Sequence, residues 1–104
     1  MTVYVDDMRA KYRRMIMCHM IADTDEELRT MAQKIGVRQK WHQGDHFDIC
    51  LEMRARAVSL GAVEITHRQC AAMNFARKLT GVLGDPEGAE RRMLDLVKKK
   101  RQGL

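Results

Sequence analysis

The chain has 104 residues, of which 45% are hydrophobic and 32% are charged, and it carries a formal net charge of +5. This length allows one hydrophobic core but not two, and the composition excludes a disordered chain. No apolar run reaches the roughly 18 residues that span a bilayer, and the first residues lack a secretory signal pattern, so we expect a cytoplasmic protein without a membrane segment.

The basic excess lies entirely in the second half of the chain. Residues 1–50 hold eight Lys and Arg against eight Asp and Glu, whereas residues 51–104 hold eleven against six. Four of these basic residues form the run 98–101. Such a run either binds nucleic-acid phosphates with release of counterions or is the solvated, basic end of a helix.

The first half begins with two predicted strands. The segment from Thr2 to Asp6 alternates and is rich in β-forming residues, and the segment from Met15 to Ile21 is apolar except for His19. An uninterrupted apolar run of this length is typical of a strand covered on both faces. The basic stretch between them, from Arg9 to Arg14, is predicted to be irregular.

A helix and a third strand follow. Thr24 and Glu27 have the spacing of a capping box, the apolar residues 28, 31, 32 and 35 lie on one helical face, and Gly36 can end the helix. Residues 37–45 form a polar connection. His46 to Cys50 then predicts a short strand with two apolar residues on one face.

The second half alternates in the same way. A helix over Leu51 to Leu60 ends at Gly61, and residues 63–65 form a short strand. Thr66 and Gln69 repeat the capping-box spacing at the start of a third helix. A last helix starts at Asp85, with Pro86 in its first position and apolar residues at 89, 93, 96 and 97.

Strands that alternate with helices predict an α/β fold, with three or four mostly parallel strands and helical cover. We expect residues 1–83 to form the core domain. Residues 84–104 form a basic amphipathic helix that packs on this core or pairs with another chain, because an isolated helix of this length cannot bury its apolar stripe.

Acidic residues and histidines gather near the predicted strand ends of the first half. Convergence of Asp6, His19, His46 and Asp48 would provide oxygen and imidazole ligands for a divalent metal. With Asp23, the same residues could supply a general acid and base without metal. Each also has a plain structural interpretation: His19 as a hydrogen-bonded core histidine, Asp23 as a helix cap, and Asp48 as a solvated side chain.

Other motifs are weaker. Trp41 is the only tryptophan and lies between Arg38, Lys40 and His42, so it either stacks on a ligand ring or borders the core. Cys18, Cys50 and Cys70 are odd in number and widely spaced, which predicts reduced thiols. We treat the spacing of residues 42, 46 and 50 as chance, and the sequence contains no Walker loop, dinucleotide fingerprint or nucleophile elbow.

Four segments resemble the domain-of-unknown-function family numbered 4031, found in phage, prophage and actinobacterial proteins, over roughly residues 1–70. They are Tyr-Val-Asp-Asp-Met at 4–8, Cys-His-Met-Ile-Ala-Asp-Thr-Asp-Glu-Glu-Leu at 18–28, Gly-Asp-His-Phe-Asp-Ile at 44–49 and Leu-Gly-Ala-Val-Glu-Ile-Thr at 60–66. The resemblance implies family equivalents of His19, of Asp23 with residues 27–28, and of His46 with Asp48. The chain departs from the family pattern at two positions, with Arg29 in place of His and Phe47 in place of Tyr.

Three functions remain open from the sequence. The first is a protein that binds nucleic acid or a host macromolecule without turnover. The second is a metal-dependent phosphodiesterase or nuclease that uses the His and Asp cluster, with metal-activated water as the nucleophile. The third is a pocket for a small, nucleotide-sized ligand.

Overall fold

Five strands and four α-helices make up residues 2–103, the part of the chain that the computed structural model describes. This range also includes a single 3₁₀ turn, Gln39–Trp41. The elements follow one another as β1 Val3–Val5, β2 Ala10–Tyr12, β3 Met15–Ala22, α1 Asp25–Ile35, β4 Phe47–Cys50, α2 Leu51–Ser59, β5 Val63–Glu64, α3 His67–Thr80 and α4 Pro86–Gln102.

The sheet is mixed, and the prediction of a mostly parallel sheet with three or four strands is wrong. Strand β3 pairs antiparallel with β1, β2 and β4, and only β5 runs parallel to its partner, β1. The antiparallel pairing of β1 with β3 follows from the short connection between these two strands. Residues 6–14 are too few for the helical crossover of a dozen or more residues that a parallel pair needs, so the chain turns back beside itself.

Strand β2 occupies part of the stretch that was predicted to be irregular. Its three residues are all exposed, so it has no buried face, and Ala-Lys-Tyr is too short for its alternation to predict a strand. Arg9 and Arg13, which flank it, have φ values of 52° and 57°. Arg13 lies in the turn that reverses the chain from β2 into β3, whereas the chain does not reverse at Arg9, because β1 and β2 both run antiparallel to β3.

Helices cover both faces of the sheet. Val5 and Met20 pack on one face with the apolar side chains of α1 and with Ala57 of α2. Tyr4 and Ile21 face the other way and pack with α3, where Met73 is fully buried. The fold is thus a small α/β domain in which the sheet separates two hydrophobic clusters.

The predicted helix boundaries are confirmed by the caps. Thr24 accepts a hydrogen bond from the backbone of Glu27, and Gly36 ends α1 with φ of 90°. At the start of α3, Thr66 and Gln69 form both hydrogen bonds of a capping box. The side chain of Asp85 caps α4 in the same manner.

Helix α4 contacts the domain through its first half only. Ala89 is buried with α3, and Met93 packs against the same cluster. Further along, Leu94, Leu96 and Val97 are exposed. Within residues 2–103, none of the helices combines the length and apolarity needed to cross a membrane.

Candidate metal centre

The carboxylate of Asp6 holds His19 on both its backbone and its ring. Asp6 directly follows β1, and its backbone nitrogen donates to the carbonyl of His19, which continues the antiparallel ladder. Oδ1 of Asp6 accepts from the backbone nitrogen of His19 at 2.7 Å, and Oδ2 lies 2.8 Å from Nδ1 of the ring. Asp6 is fully buried, so this pair is fixed inside the fold.

His46 is held by a carboxylate in the same way. Its Nδ1 lies 2.7 Å from Oδ1 of the preceding residue, Asp45. The rings of His46 and His19 meet edge to face, with centroids 5.1 Å apart and planes at 86°. The two imidazoles are therefore neighbours, each with an acidic partner on its Nδ1.

Asp48 lies between these two rings. It is the cross-strand partner of His19 in the pairing of β3 with β4, so both side chains lie on the same face of the sheet. Its Oδ1 is 3.4 Å from Nε2 of His46 and 3.8 Å from Nε2 of His19. This oxygen is buried and has no hydrogen-bond partner among residues 2–103, whereas Oδ2 accepts from Gln43 at 3.0 Å.

The hydrogen-bond partner on Nδ1 determines whether Nε2 of the same ring is a donor or an acceptor. A carboxylate only accepts hydrogen bonds, so Asp6 and Asp45 require a proton on Nδ1 of each ring. In the neutral imidazoles, both Nε2 atoms are then acceptors, and they lie 3.4 and 3.8 Å from Oδ1 of Asp48. Three acceptors face one another, and a cation, either a proton or a metal ion, is needed to balance them.

The pKa shifts agree with this arrangement. The hydrogen bond to Asp6 raises the pKa of His19 against the opposing effect of burial, and the nearby carboxylates of Asp6, Asp48 and Asp45 raise it further. Burial by itself would raise the pKa of Asp6, but the hydrogen bonds from His19 and from the backbone of Met8 outweigh it, so this pKa is lowered. Asp6 is thus a carboxylate at neutral pH.

Cys70 of α3 lies close to Asp6 and His19. One ligand-type atom from each of Asp6, His19 and Cys70 falls within 4.8 Å of the others. Burial, followed by the charge of Asp6, raises the pKa of the Cys70 thiol to about 12. A thiol that stays protonated is a poor metal ligand, so the set of His19, His46 and Asp48 is the better one.

The structure separates Asp23 from this cluster. Asp23 follows β3 at the opposite end of the β1 pairing, where its Oδ2 accepts from the backbone nitrogen of Thr2 at 2.9 Å. Asp7 also points elsewhere and accepts from the backbone nitrogen of His67 at 2.7 Å. Of the five residues predicted to form one site, Asp6, His19, His46 and Asp48 are together and Asp23 is not.

Residues Arg38 and Trp41 line a groove of about 600 Å³ that reaches Asp48. Trp41 lies in the 3₁₀ turn and is 55% exposed, so it is not a core residue. The Nζ atom of Lys40 sits 5.0 Å from the centre of its ring. Lys40 itself does not line the groove in the described part of the chain.

Sequence reasoning missed two members of the site. Asp45 was assigned only to the polar connection of residues 37–45, although its position directly before His46 is a usable signal for a carboxylate that holds an imidazole. Gln43 was not considered. Its contact with Asp48 depends on the loop between the 3₁₀ turn and β4, which no local pattern defines.

Together, these observations define a small α/β domain with a paired His and Asp centre beside a groove. The family model described as "Protein of unknown function (DUF4031)" matches residues 3–77, and the chain belongs to this family. The match extends past the segments that carry the resemblance, as far as α3. A search of the curated proteins and a search of the solved structures each found no match.

The two positions at which the resemblance implies other residues, Arg29 and Phe47, lie outside the centre. Arg29 pairs with Asp25 at 2.7 Å on the exposed surface of α1, and His42 contacts the same carboxylate at 2.6 Å. Phe47 is fully buried on the face of β4 opposite to Asp48. Neither change removes a group from the set of His19, His46 and Asp48.

Proposed function

We propose that the chain is a metal-dependent phosphodiesterase or nuclease, whose divalent cation is held by Nε2 of His19, Nε2 of His46 and Oδ1 of Asp48. The observation that carries this proposal is the unpartnered, buried Oδ1 of Asp48 between two imidazole nitrogens. A buried acceptor without a partner costs roughly 1–3 kcal/mol. A cation coordinated by the three atoms removes this cost.

The distances suit a coordinated ion. Two ligands that lie at about 2.1 Å from one metal ion, at the tetrahedral angle, are roughly 3.4 Å apart. Asp48 Oδ1 and His46 Nε2 are separated by 3.4 Å, and Asp48 Oδ1 and His19 Nε2 by 3.8 Å. A shift of a few tenths of an ångström in His19 would therefore complete the geometry.

The ligand types favour some metals over others. Two imidazoles and one carboxylate are typical of zinc, iron and manganese, whereas magnesium prefers oxygen ligands. Three protein ligands leave positions for water and substrate, as in catalytic centres. When bound there, the metal would lower the pKa of its water and polarise a phosphate oxygen.

The remaining residues support the ligands and the choice of substrate. Asp6 and Asp45 are positioning residues, because they fix the ring orientation and the tautomer of the two histidines. Arg38 and Lys11 line the groove beside Asp48, and their positive charges favour an anionic substrate such as a phosphate ester.

Metal binding is the first test. The purified full chain is stripped with EDTA and titrated with Co²⁺ and Zn²⁺, with calorimetry and the visible spectrum of Co²⁺ as readouts. We expect one ion per chain, and we expect Asp48→Asn and His46→Gln to weaken binding more than about 100-fold. Cleavage of a bis-aryl phosphate diester and of single-stranded DNA and RNA is measured with the metal-loaded protein.

Two variants are matched controls. Asp23→Asn and His42→Gln remove the same groups outside the centre and should bind metal as the unchanged protein does. Equal losses in all four variants, or the absence of stoichiometric binding, would contradict the metal centre. Metal binding without cleavage of any diester would favour a binding protein without turnover, and affinity for DNA or RNA that falls steeply with salt would identify nucleic acid as its partner.

A further inference from the structure

The groove beside the metal centre has the size and lining of a ligand site. Its volume of about 600 Å³ lies within the roughly 300–1,000 Å³ of small-molecule pockets. Apolar side chains form most of it. They come from the β2–β3 hairpin, from the loop after α1 and from the end of β4, and include Tyr12, Met15, Met17, Val37 and Trp41.

Trp41 is placed to stack on a flat ring. It is the only tryptophan of the chain, it is 55% exposed, and it borders the groove rather than the core. Tyr12, which is also exposed, lines the groove from the hairpin. Exposed aromatic side chains in an apolar groove bind nucleic-acid bases by stacking, with little preference between bases.

Two cations in the same groove are without acidic partners. Arg38 and Lys11 are both exposed, and neither forms an ion pair with any residue in the range 2–103. An unpaired guanidinium is suited to bind a phosphate through two parallel hydrogen bonds. The groove therefore combines an apolar, aromatic lining with complementary charge for an anion.

The groove and the metal centre share a wall. Asp48 and Gln43 line the groove, and Oδ1 of Asp48 faces the two histidines. A ligand in the groove therefore borders Asp48, one of the three proposed metal ligands.

We infer that this groove binds one nucleotide unit, with its base against Trp41 and its phosphate held by Arg38 and Lys11. The inference rests on the proposed function for the chemistry that follows binding, and it names the substrate class of that site. The unit is either a free mononucleotide or the end of a single strand, since both offer the same base and phosphate.

Fluorescence of the full chain tests this inference without metal. Because Trp41 is the sole tryptophan, its emission reports on the groove. The EDTA-treated protein is titrated with AMP, adenosine, ribose 5-phosphate and a short oligo(dA). We expect saturable quenching by AMP, binding of adenosine that is weaker by about tenfold or more, and no quenching by ribose 5-phosphate.

Variants locate the binding energy. Arg38→Gln should weaken AMP binding about tenfold, whereas Arg14→Gln, in the turn between β2 and β3 and outside the groove lining, should leave it unchanged. Trp41→Leu, measured by calorimetry, should also weaken it about tenfold or more. Tighter binding of oligo(dA) than of AMP identifies a strand end as the ligand, and equal or weaker binding identifies a free nucleotide.

Three results would overturn the inference. They are the absence of saturable quenching by any of the four probes at millimolar concentration, equal affinity for AMP and adenosine, and equal effects of the substitutions at Arg38 and Arg14. The titration contains no metal, so its outcome does not depend on the proposed metal centre. Conversely, a groove that binds no nucleotide leaves the Co²⁺ titration unaffected.

Discussion

The carboxylate of Asp6 accepts from three groups of the chain. These are the backbone nitrogens of Met8 and His19, at 3.3 and 2.7 Å, and Nδ1 of His19 at 2.8 Å. Hydrogen bonds of this kind stabilise the ionised carboxylate even though Asp6 is fully buried. A single residue thus ends β1, fixes the position of β3 and sets the tautomer of the histidine on that strand.

This pair makes the stability of the metal-free protein depend on pH. The pKa of His19 is raised above its ordinary value of 6.5, so its contribution is complete below pH 6.5 and is lost as the pH rises through the folded-state pKa. The pKa of Asp6 is lowered from 3.8, so its contribution is present above pH 3.8 and is lost as the pH falls through its folded-state value. Both contributions are therefore complete between about pH 4 and 6.5.

Urea unfolding in EDTA measures this dependence. The unchanged protein should lose stability between pH 6.5 and 9, and His19→Gln should show a clearly smaller loss over the same range. His42→Gln is the control, since this histidine is also paired with a carboxylate, that of Asp25, but lies outside the centre. Identical pH profiles for the unchanged protein and His19→Gln would show that the pair does not contribute in this way.

At the scale of elements, the end of α1 depends on a left-handed backbone conformation at Gly36, and substitutions there measure its energetic cost. Gly36 has φ of 90°, and the backbone nitrogen of Val37 donates to the carbonyl of Ala32 at 2.8 Å, the bond that closes a left-handed helix end. A Cβ at position 36 would meet only Arg56 Nη1, at 3.7 Å, so space is not limiting.

Gly36→Ala should therefore cost about 1–2 kcal/mol through backbone strain alone. Gly36→Asn should cost less, because asparagine tolerates this conformation better than other residues with a side chain. Chemical denaturation of the three proteins measures the difference. A loss for asparagine as large as that for alanine would point to a side-chain clash rather than to backbone strain.

The sequence predicts elements well where the determining contacts are local. Thr24 with Glu27, Thr66 with Gln69, and Asp85 with Pro86 lie within one helical turn of each other, and each marks the start of its helix correctly. Strand β2 was not predicted because it has only three residues, all of them exposed, within a basic stretch. Its position is set by pairing with β3.

At the scale of the whole molecule, strand direction and the site depend on pairing between distant segments. The sequence left open whether Asp6, His19, His46 and Asp48 converge, and it predicted mostly parallel strands with a common carboxyl edge. The structure instead brings Asp48 to His19 by antiparallel pairing in the middle of two strands. The same antiparallel arrangement places Asp23 at the far end of β1. Local sequence patterns cannot separate Asp23 from Asp6, because both residues directly follow a strand.

Shortening the chain within and before α4 tests how much of this helix belongs to the folded domain. Leu83 is 1% exposed, Ala89 is buried beside α3 and Met93 packs on them, whereas the stripe continues into exposed Leu94 and Leu96. Ending the chain after residue 93 should change the free energy of unfolding by no more than about 1 kcal/mol, an amount comparable to the loss of a basic helix end. Ending it after residue 83 uncovers the α3 cluster and should cost about 2–4 kcal/mol.

Chemical denaturation of the full chain and of the two shortened chains measures these losses, and light scattering of the same samples gives their masses. If residues 94–104 pair two chains, the full-length protein is a dimer, and its stability depends on protein concentration. The chain of residues 1–93 then has half the mass of that dimer, and its stability is independent of concentration. Equal losses for both shortened chains would mean that the exposed end of α4 accounts for the whole loss and that residues 84–93, with Ala89 and Met93, add nothing further. The boundary of the cooperative unit would then lie beyond residue 93.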